Sequence, residues 1–387
     1  MSFRIASSLL LALLLAVAGS TLPAQDSATA AAYALEQAGK DQEAHAAWEQ
    51  IAKTHPDDAE AYANLGLLEA RQQQYTRAIA FYRKAEALNP AMPGLHMNLG
   101  LALFKAGDLR AALRIFQPLL KKEDPSSEDA QRLRILLGMA HYGLGEYAEA
   151  VVPLREAMQR DPRDLPYRLV LAHSCLRAKQ YQCVLDVYHE ILTLNAESAE
   201  ADMLAGEALD EMRDRAGAVA QFRAAVKADP KQPGVHFGLG YLLWTGSQYD
   251  EAAQQFQSEL ENNPNNVQAL VYLADADIRL NRLDRARPLL EKAARLDPKF
   301  EMTHLELGIL ASQSGQNEQA LRELHQAAAL DPSDVQVHWR LARLYQAMGR
   351  RQEATAEFNK TKTLTKAADE SVNAKMNPST SDSPQAP

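Results

Sequence analysis

Few residues in this chain have the types and spacing that chemistry demands. The most compact set is His173, Cys175, Cys183 and His189. Imidazole and thiolate together suggest a zinc site, but these intervals match none of the common zinc patterns. Cys175 and Cys183 are the only two cysteines. An oxidising compartment favours a disulfide between them, and the alternative is two buried thiols. There is no glycine-rich phosphate loop and no H-E-x-x-H motif. Nothing marks a serine, histidine and carboxylate as a nucleophile with its base. The expectation is a protein that is not an enzyme and has no metal, no cofactor and no small-molecule ligand. The formal charge is −9, and there is no basic run. That balance argues against a nucleic-acid binder, which ordinarily carries a basic face.

The elements that position these residues follow from a repeat. Residues 59–92 read AEAYANLGLLEARQQQYTRAIAFYRKAEALNPAM, which predicts two short helices, A and B, joined by a tight turn. Tyr62, Leu65, Gly66, Ala78, Tyr82, Ala85 and Pro90 sit at offsets that return every 34 residues almost to the end of the chain. Position 8 of each frame is Gly or Ala, from Ala32 to Ala342, and position 20 is Ala except at Val184. Small residues there let helices A and B approach closely, at about 8–10 Å between axes. Position 24 is large, from Trp48 and Tyr82 to Phe358, and fills the space the small pair leaves. Pro56, Pro90, Pro162, Pro230, Pro264, Pro298 and Pro332 end helix B, because proline cannot continue a helix. Gly39, Gly107, Gly145, Gly315 and Gly349 fall between A and B, where a left-handed cap is expected.

This pattern resembles the tetratricopeptide repeat. The resemblance implies an all-α, right-handed α-solenoid of about ten helix-turn-helix repeats. The frames are 25–58, 59–92, 93–126, 131–164, 165–198, 199–232, 233–266, 267–300, 301–334 and 335–368. The four residues 127–130 shift the register as an insertion. The family lines a concave groove with helix A, through positions 2, 5, 6, 9, 12 and 13, and binds peptides or partner proteins there. By that resemblance the groove candidates are Asn64, Asn98, Leu101, Phe104, Met139 and Tyr142, then Glu207, Asp210, Phe237, Tyr241, Trp244 and Asp275. Trp339, Arg340 and Arg343 occupy the same positions in the last repeat. Asn64 and Asn98 resemble groove asparagines that hold a peptide backbone in some members. The Lys and Asn that clamp a C-terminal carboxylate are absent, since the corresponding positions hold Ala63, Leu67, Met97 and Leu101. The acids suggest a ligand with apolar anchors beside basic residues. His96, His236, His304 and His338 all stand at position 4 and are expected to pack between repeats. Glu259 stands at position 27, which is normally small or apolar.

The two ends read differently. In residues 1–24, Arg4, the apolar run Leu9 to Ala18, and Ala16-Val17-Ala18 predict a secretory signal peptide. The mature chain then begins at Gly19 or Gln25. The apolar run is about half what a membrane span requires, so no integral span is expected in the mature chain. Residues 369–387 are rich in Ser and Pro and are expected to be disordered. The sequence therefore predicts an exported, periplasmic or secreted scaffold that binds a protein or peptide. The alternative is a regulatory subunit or membrane-associated assembly factor of an envelope enzyme complex.

Overall fold

The computed structural model describes residues 25–159, 164–194 and 197–376. The signal-peptide reading, Pro162 and the end of the tail lie outside them. Among the described residues every regular element is an α-helix, and the helices come in ten pairs. They divide into two units, within residues 1–196 and 197–387.

The first unit holds α1 (Gln25–Gln37) with α2 (Asp41–Thr54), α3 (Ala59–Arg71) with α4 (Tyr75–Leu88), and α5 (Leu95–Lys105) with α6 (Leu109–Leu120). It continues with α7 (Glu128–Gly143) and α8 (Tyr147–Met158), then α9 (Leu165–Arg177) and α10 (Tyr181–Thr193). The second unit holds α11 (Ala199–Glu211) with α12 (Arg215–Ala228), α13 (Val235–Thr245) with α14 (Tyr249–Asn262), and α15 (Val267–Arg279) with α16 (Leu283–Leu296). It ends with α17 (Glu301–Gln313) and α18 (Asn317–Leu330), then α19 (Val335–Ala347) and α20 (Arg351–Met376). The all-α solenoid of about ten pairs is thus observed, with odd-numbered helices in the A role.

The packing rule is steric. A Cβ on Gly206 would come within 2.6 Å of the Phe222 ring and 3.3 Å of the Ala218 carbonyl oxygen. Gly66 stands in the same relation to Tyr82, and Gly240 to Phe256. The large residue at position 24 therefore lies directly on the backbone of helix A. Gly238, at the start of the next repeat, faces the other side of the Phe222 ring just as closely. Phe222 is a wedge between two A helices, α11 and α13.

The turn between A and B carries one residue with positive φ in every repeat. Five are the expected glycines. The other five are Gln73, Lys179, Arg213, Ser247 and Asn281, with φ from 57° to 66°. The turn geometry is imposed by the pair, and these side chains accept a conformation that costs an L-residue about 1–2 kcal/mol.

The structure refines three sequence expectations. The insertion at residues 127–130 supplies the cap and first turn of α7. The Ser127 hydroxyl accepts from the Ala130 amide at 3.0 Å and caps α7, which starts one turn early. Residues 369–376, expected to be disordered, continue α20. The position-4 histidines are polar clips as well as packing groups. His304 lies 2.9 Å from Glu323 and 3.1 Å from the Pro298 carbonyl. His338 repeats this at 2.6 Å to Glu357 and 3.1 Å to the Pro332 carbonyl. Each ties helix A to its own helix B and to the preceding turn. Glu259 gains a reason too. It is buried and accepts from Asn266 Nδ2 at 3.0 Å, while Asn266 Oδ1 caps α15.

Two outcomes test this packing. Gly206→Leu should cost about 1–3 kcal/mol by overpacking. Hydrogen exchange should rise first in repeats 6 and 7, because solenoid coupling is to neighbours; unchanged protection there would refute the wedge. Arg213→Gly and Gln73→Gly should each stabilise by about 0.5–1 kcal/mol by relieving the left-handed turn, read as a higher denaturant midpoint.

Candidate functional site

In the first unit the A-helix candidates are largely engaged with the protein itself. Asn64 is buried and donates from Nδ2 to the Tyr33 hydroxyl at 3.2 Å and to the Glu60 carbonyl at 3.0 Å. It stitches repeat 1 to repeat 2. Asn98 is half-buried. Leu101, Phe104 and Met139 are half-buried, the first two packed on the core of their unit. Tyr142 meets Tyr147 and His173 edge-on, at 5.6 and 5.5 Å between ring centroids. Burial lowers the His173 pKa, and Arg177 adds to the effect. His189 turns instead to its own helix, its Nδ1 donating to the Leu185 carbonyl at 2.6 Å. The set His173, Cys175, Cys183 and His189 does not converge as metal ligands. Cys175 and Cys183 are paired, with Cα atoms 5.8 Å apart, and join α9 to α10.

The second unit brings its candidates together. Phe237, Tyr241 and Trp244 come from one face of α13, and Tyr272 from α15 stands edge-on to all three, at 5.8, 5.6 and 5.1 Å. Tyr241 stacks between Phe237 and Trp244 at 6.5 and 6.1 Å. Tyr241 is 38% exposed, so it is the member of the cluster that solvent or a partner meets. Aromatic groups of this kind contribute large contact area with little side-chain entropy to lose. Trp244 has a second role: its indole Nε1 donates to Asp275 Oδ2.

Asp275 is therefore not an open steering acid. It is 2% exposed and also accepts from Arg279 Nε at 2.9 and 3.1 Å. The Arg279 guanidinium lies over Trp244 and Tyr249, at 5.5 and 5.3 Å from their ring centroids. Burial opposes the charge on Arg279 most strongly of any single influence, but the bond to Asp275, the Asp275 charge, and Tyr249 and Glu306 together outweigh it and raise the pKa. The acids left on the surface are in α11, where Glu207 is exposed and Asp210 half-buried.

Beyond Asp275 lies Glu306 of α17, 3% exposed, with Oε2 lacking a hydrogen-bond partner among the described residues. Burial pushes its carboxyl up to about 8; Asp275 pushes the same way, while Arg279 and Arg340 oppose. Tyr272 is raised by burial and by Tyr241, Asp275 and Glu306. On α19 Trp339 is 42% exposed, with the Arg340 and Arg343 guanidinium groups 5.3 and 5.8 Å from its ring centroid.

Tyr272, Arg279 and Glu306 were not among the groove candidates. All three stand at positions 6 or 13 of their repeats, so the groove positions implied by the resemblance, which picked out Phe237, also point to them. What periodicity does not contain is the pairing of Asp275 with Arg279 and Trp244.

The Tetratricopeptide repeat family profile matches residues 29–93, 97–165, 203–267 and 237–299, and a second profile of that description matches 311–364. Among curated proteins the chain is 24% identical over 287 residues to "BBSome complex member BBS4" of Bos taurus, covering 74% of this chain and 54% of that one. It is 28% identical over 239 residues to "Cellulose synthase 1 operon protein C" of Komagataeibacter xylinus, covering 60% of this chain and 16% of that one. The chain thus spans about half the length of the first relative and far less of the second. Among solved structures it is similar to the APC/C hetero-tetramer Cut9-Hcn1, with a TM-score of 0.44, 12% identity, and 89% and 88% of the two chains covered. It is also similar to YrrB, described as a TPR protein with an unusual peptide-binding site, with a TM-score of 0.38, 18% identity, and 49% and 97% covered. Among the described residues no helix is long and apolar enough to cross a membrane.

Glu306 yields a pH prediction. Its carboxyl titrates near 4.5 when free and near 8 in the fold. Between those values the native state holds a proton that the unfolded chain has lost, so stability falls as pH rises through this window. Glu306→Gln should flatten that fall and raise the melting temperature at the alkaline end. Burial also raises Glu301, to about 7, so a smaller slope should persist. An unchanged pH profile in the variant would contradict the buried neutral carboxyl.

Proposed function

The chain belongs to the tetratricopeptide repeat family, and from that premise we propose an exported, non-enzymatic scaffold that holds a segment of a partner protein along its A-helix groove. The fold is one of protein-interaction scaffolds. The observation that carries the site is the exposed Tyr241 within the aromatic cluster on α13 and α15. The cluster is braced from behind by the bonds of Asp275 to Trp244 and Arg279. A partner's apolar side chain would therefore dock without first ordering its site, which conserves affinity. Export is supported by residues 1–24 and by the pairing of Cys175 with Cys183, which suits an oxidising compartment. A cleaved signal would leave a mature chain of formal charge about −10, because Arg4 is the only charged residue removed.

A second reading is a regulatory or assembly subunit of an envelope complex. The relative from a bacterial cellulose synthase operon favours it. Both readings use the same face.

A photo-crosslinking residue placed at Tyr241 in the native host should capture a protein partner. The same probe at exposed Val152 of α8, a B helix, should not. Equal capture at both positions, or capture at Val152 alone, would move the binding site away from the A-helix face.

A further inference from the structure

The last repeat carries a feature that the aromatic cluster does not use. Trp339 is 42% exposed at position 5 of its frame, and two guanidinium groups lie against its ring. Neither Arg340 nor Arg343 has an ion pair among the described residues, although carboxylates outnumber basic groups in the chain, at 50 to 41. Arg343 is exposed, and Arg340 is half-buried with an Nε that has no acceptor among the described residues. An unanswered buried donor is costly and marks a place where a partner's acceptor belongs. Both guanidinium groups stand within cation–π reach of the indole, and guanidinium forks suit bidentate contact with carboxylates.

We propose that Trp339, Arg340 and Arg343 form an acid-accepting pad, which binds an aspartate- or glutamate-bearing stretch of the protein segment held in the groove. The proposal rests on the groove reading and adds a direction to it. Within the second unit the A face begins with acids on α11, continues with aromatics on α13 and α15, and ends with these arginines on α19. A bound segment is oriented with its acidic part at α19. A protein segment suits this arrangement better than a nucleic acid or a polyphosphate. A uniform polyanion would meet Glu207 and Asp210 on the same face, whereas a peptide can confine its acids to one end.

Glu306 supports the pad from behind. The charged and titratable groups around it are Asp275 and Arg279 of α15, Tyr272 of α15, Arg340 of α19, and Glu301 of its own helix. Asp275 is already committed to Arg279 and Trp244. While burial keeps Glu306 protonated, Arg340 retains its charge for a ligand. Once Glu306 ionises, as pH rises past about 8, it competes with the ligand's carboxylate for Arg340.

The test uses the full chain and two synthetic peptides: tryptophan anchors followed by a run of glutamates, and the same peptide with glutamines. The glutamate peptide should bind roughly tenfold tighter. Arg343→Glu, at an exposed position, should abolish the difference while circular dichroism stays unchanged. The advantage should also shrink as pH rises through 8, and Glu306→Gln should remove that dependence. Equal binding of the two peptides, or an unaltered preference in folded Arg343→Glu, would overturn the pad. So would a single-stranded oligonucleotide that binds the protein as tightly as the glutamate peptide and displaces it. Tyr241→Ser reports the groove separately. If it weakens both peptides while they bind equally to the parent protein, only the pad fails. If it weakens neither, the groove reading fails as well.

Discussion

The fold depends on one close approach, a large side chain at position 24 lying directly on the backbone of helix A at position 8. Where position 8 is glycine, a single added carbon would stand inside the partner's contact distance. The approach fixes the crossing of each A/B pair, because the ring has nowhere else to go. It also couples neighbours. Phe222 is gripped by Gly206 of its own repeat and Gly238 of the next. Stability in such an array is a sum of local terms and nearest-neighbour interfaces, and these wedges are where the interface term arises.

The same constraint explains the turns. Once A and B are seated at that distance, the connection must pass through the left-handed region, whatever residue occupies it. Glycine does this freely at Gly39 and Gly107, whereas Gln73, Arg213 and Asn281, all exposed, are held there by the seating of the two helices they join. Local strain of this kind persists only where the surroundings over-determine it. With A and B fixed, one face of each A helix is presented in register. On α13, α15, α17 and α19 that face carries the aromatic cluster, the Asp275–Arg279 pair, Glu306 and the Trp339 pad in turn.

The repeat was legible in sequence because its determinants are strict in size and spacing, as at positions 8, 20 and 24. The face was legible too: periodicity set the frame, and the choice of Phe237, Tyr241 and Trp244 within it came from the groove positions that the family resemblance implies. Other features were not. The frame shift at residues 127–130 showed an insertion but not its form, which is a Ser127 N-cap and an added turn that lengthens α7. Asp275 looked like a groove acid open to a ligand's basic residues because its position faces the groove. Its burial depends on Trp244 and Arg279, which reach it from different turns and different repeats. Periodicity states which face a residue occupies and not what the neighbouring side chains do with it. Glu306 is the sharpest case, since burial beside an already committed acid sets its protonation.

The central claim is that the A-helix face of the second unit is the binding surface. Hydrogen exchange of the protein, free and saturated with a partner isolated from its native host, tests it most directly. The account predicts new protection in α13, α15 and α19, with little change in α14, α16 and α18. Protection confined to those B helices, or absent from the second unit while the complex is intact, would contradict it.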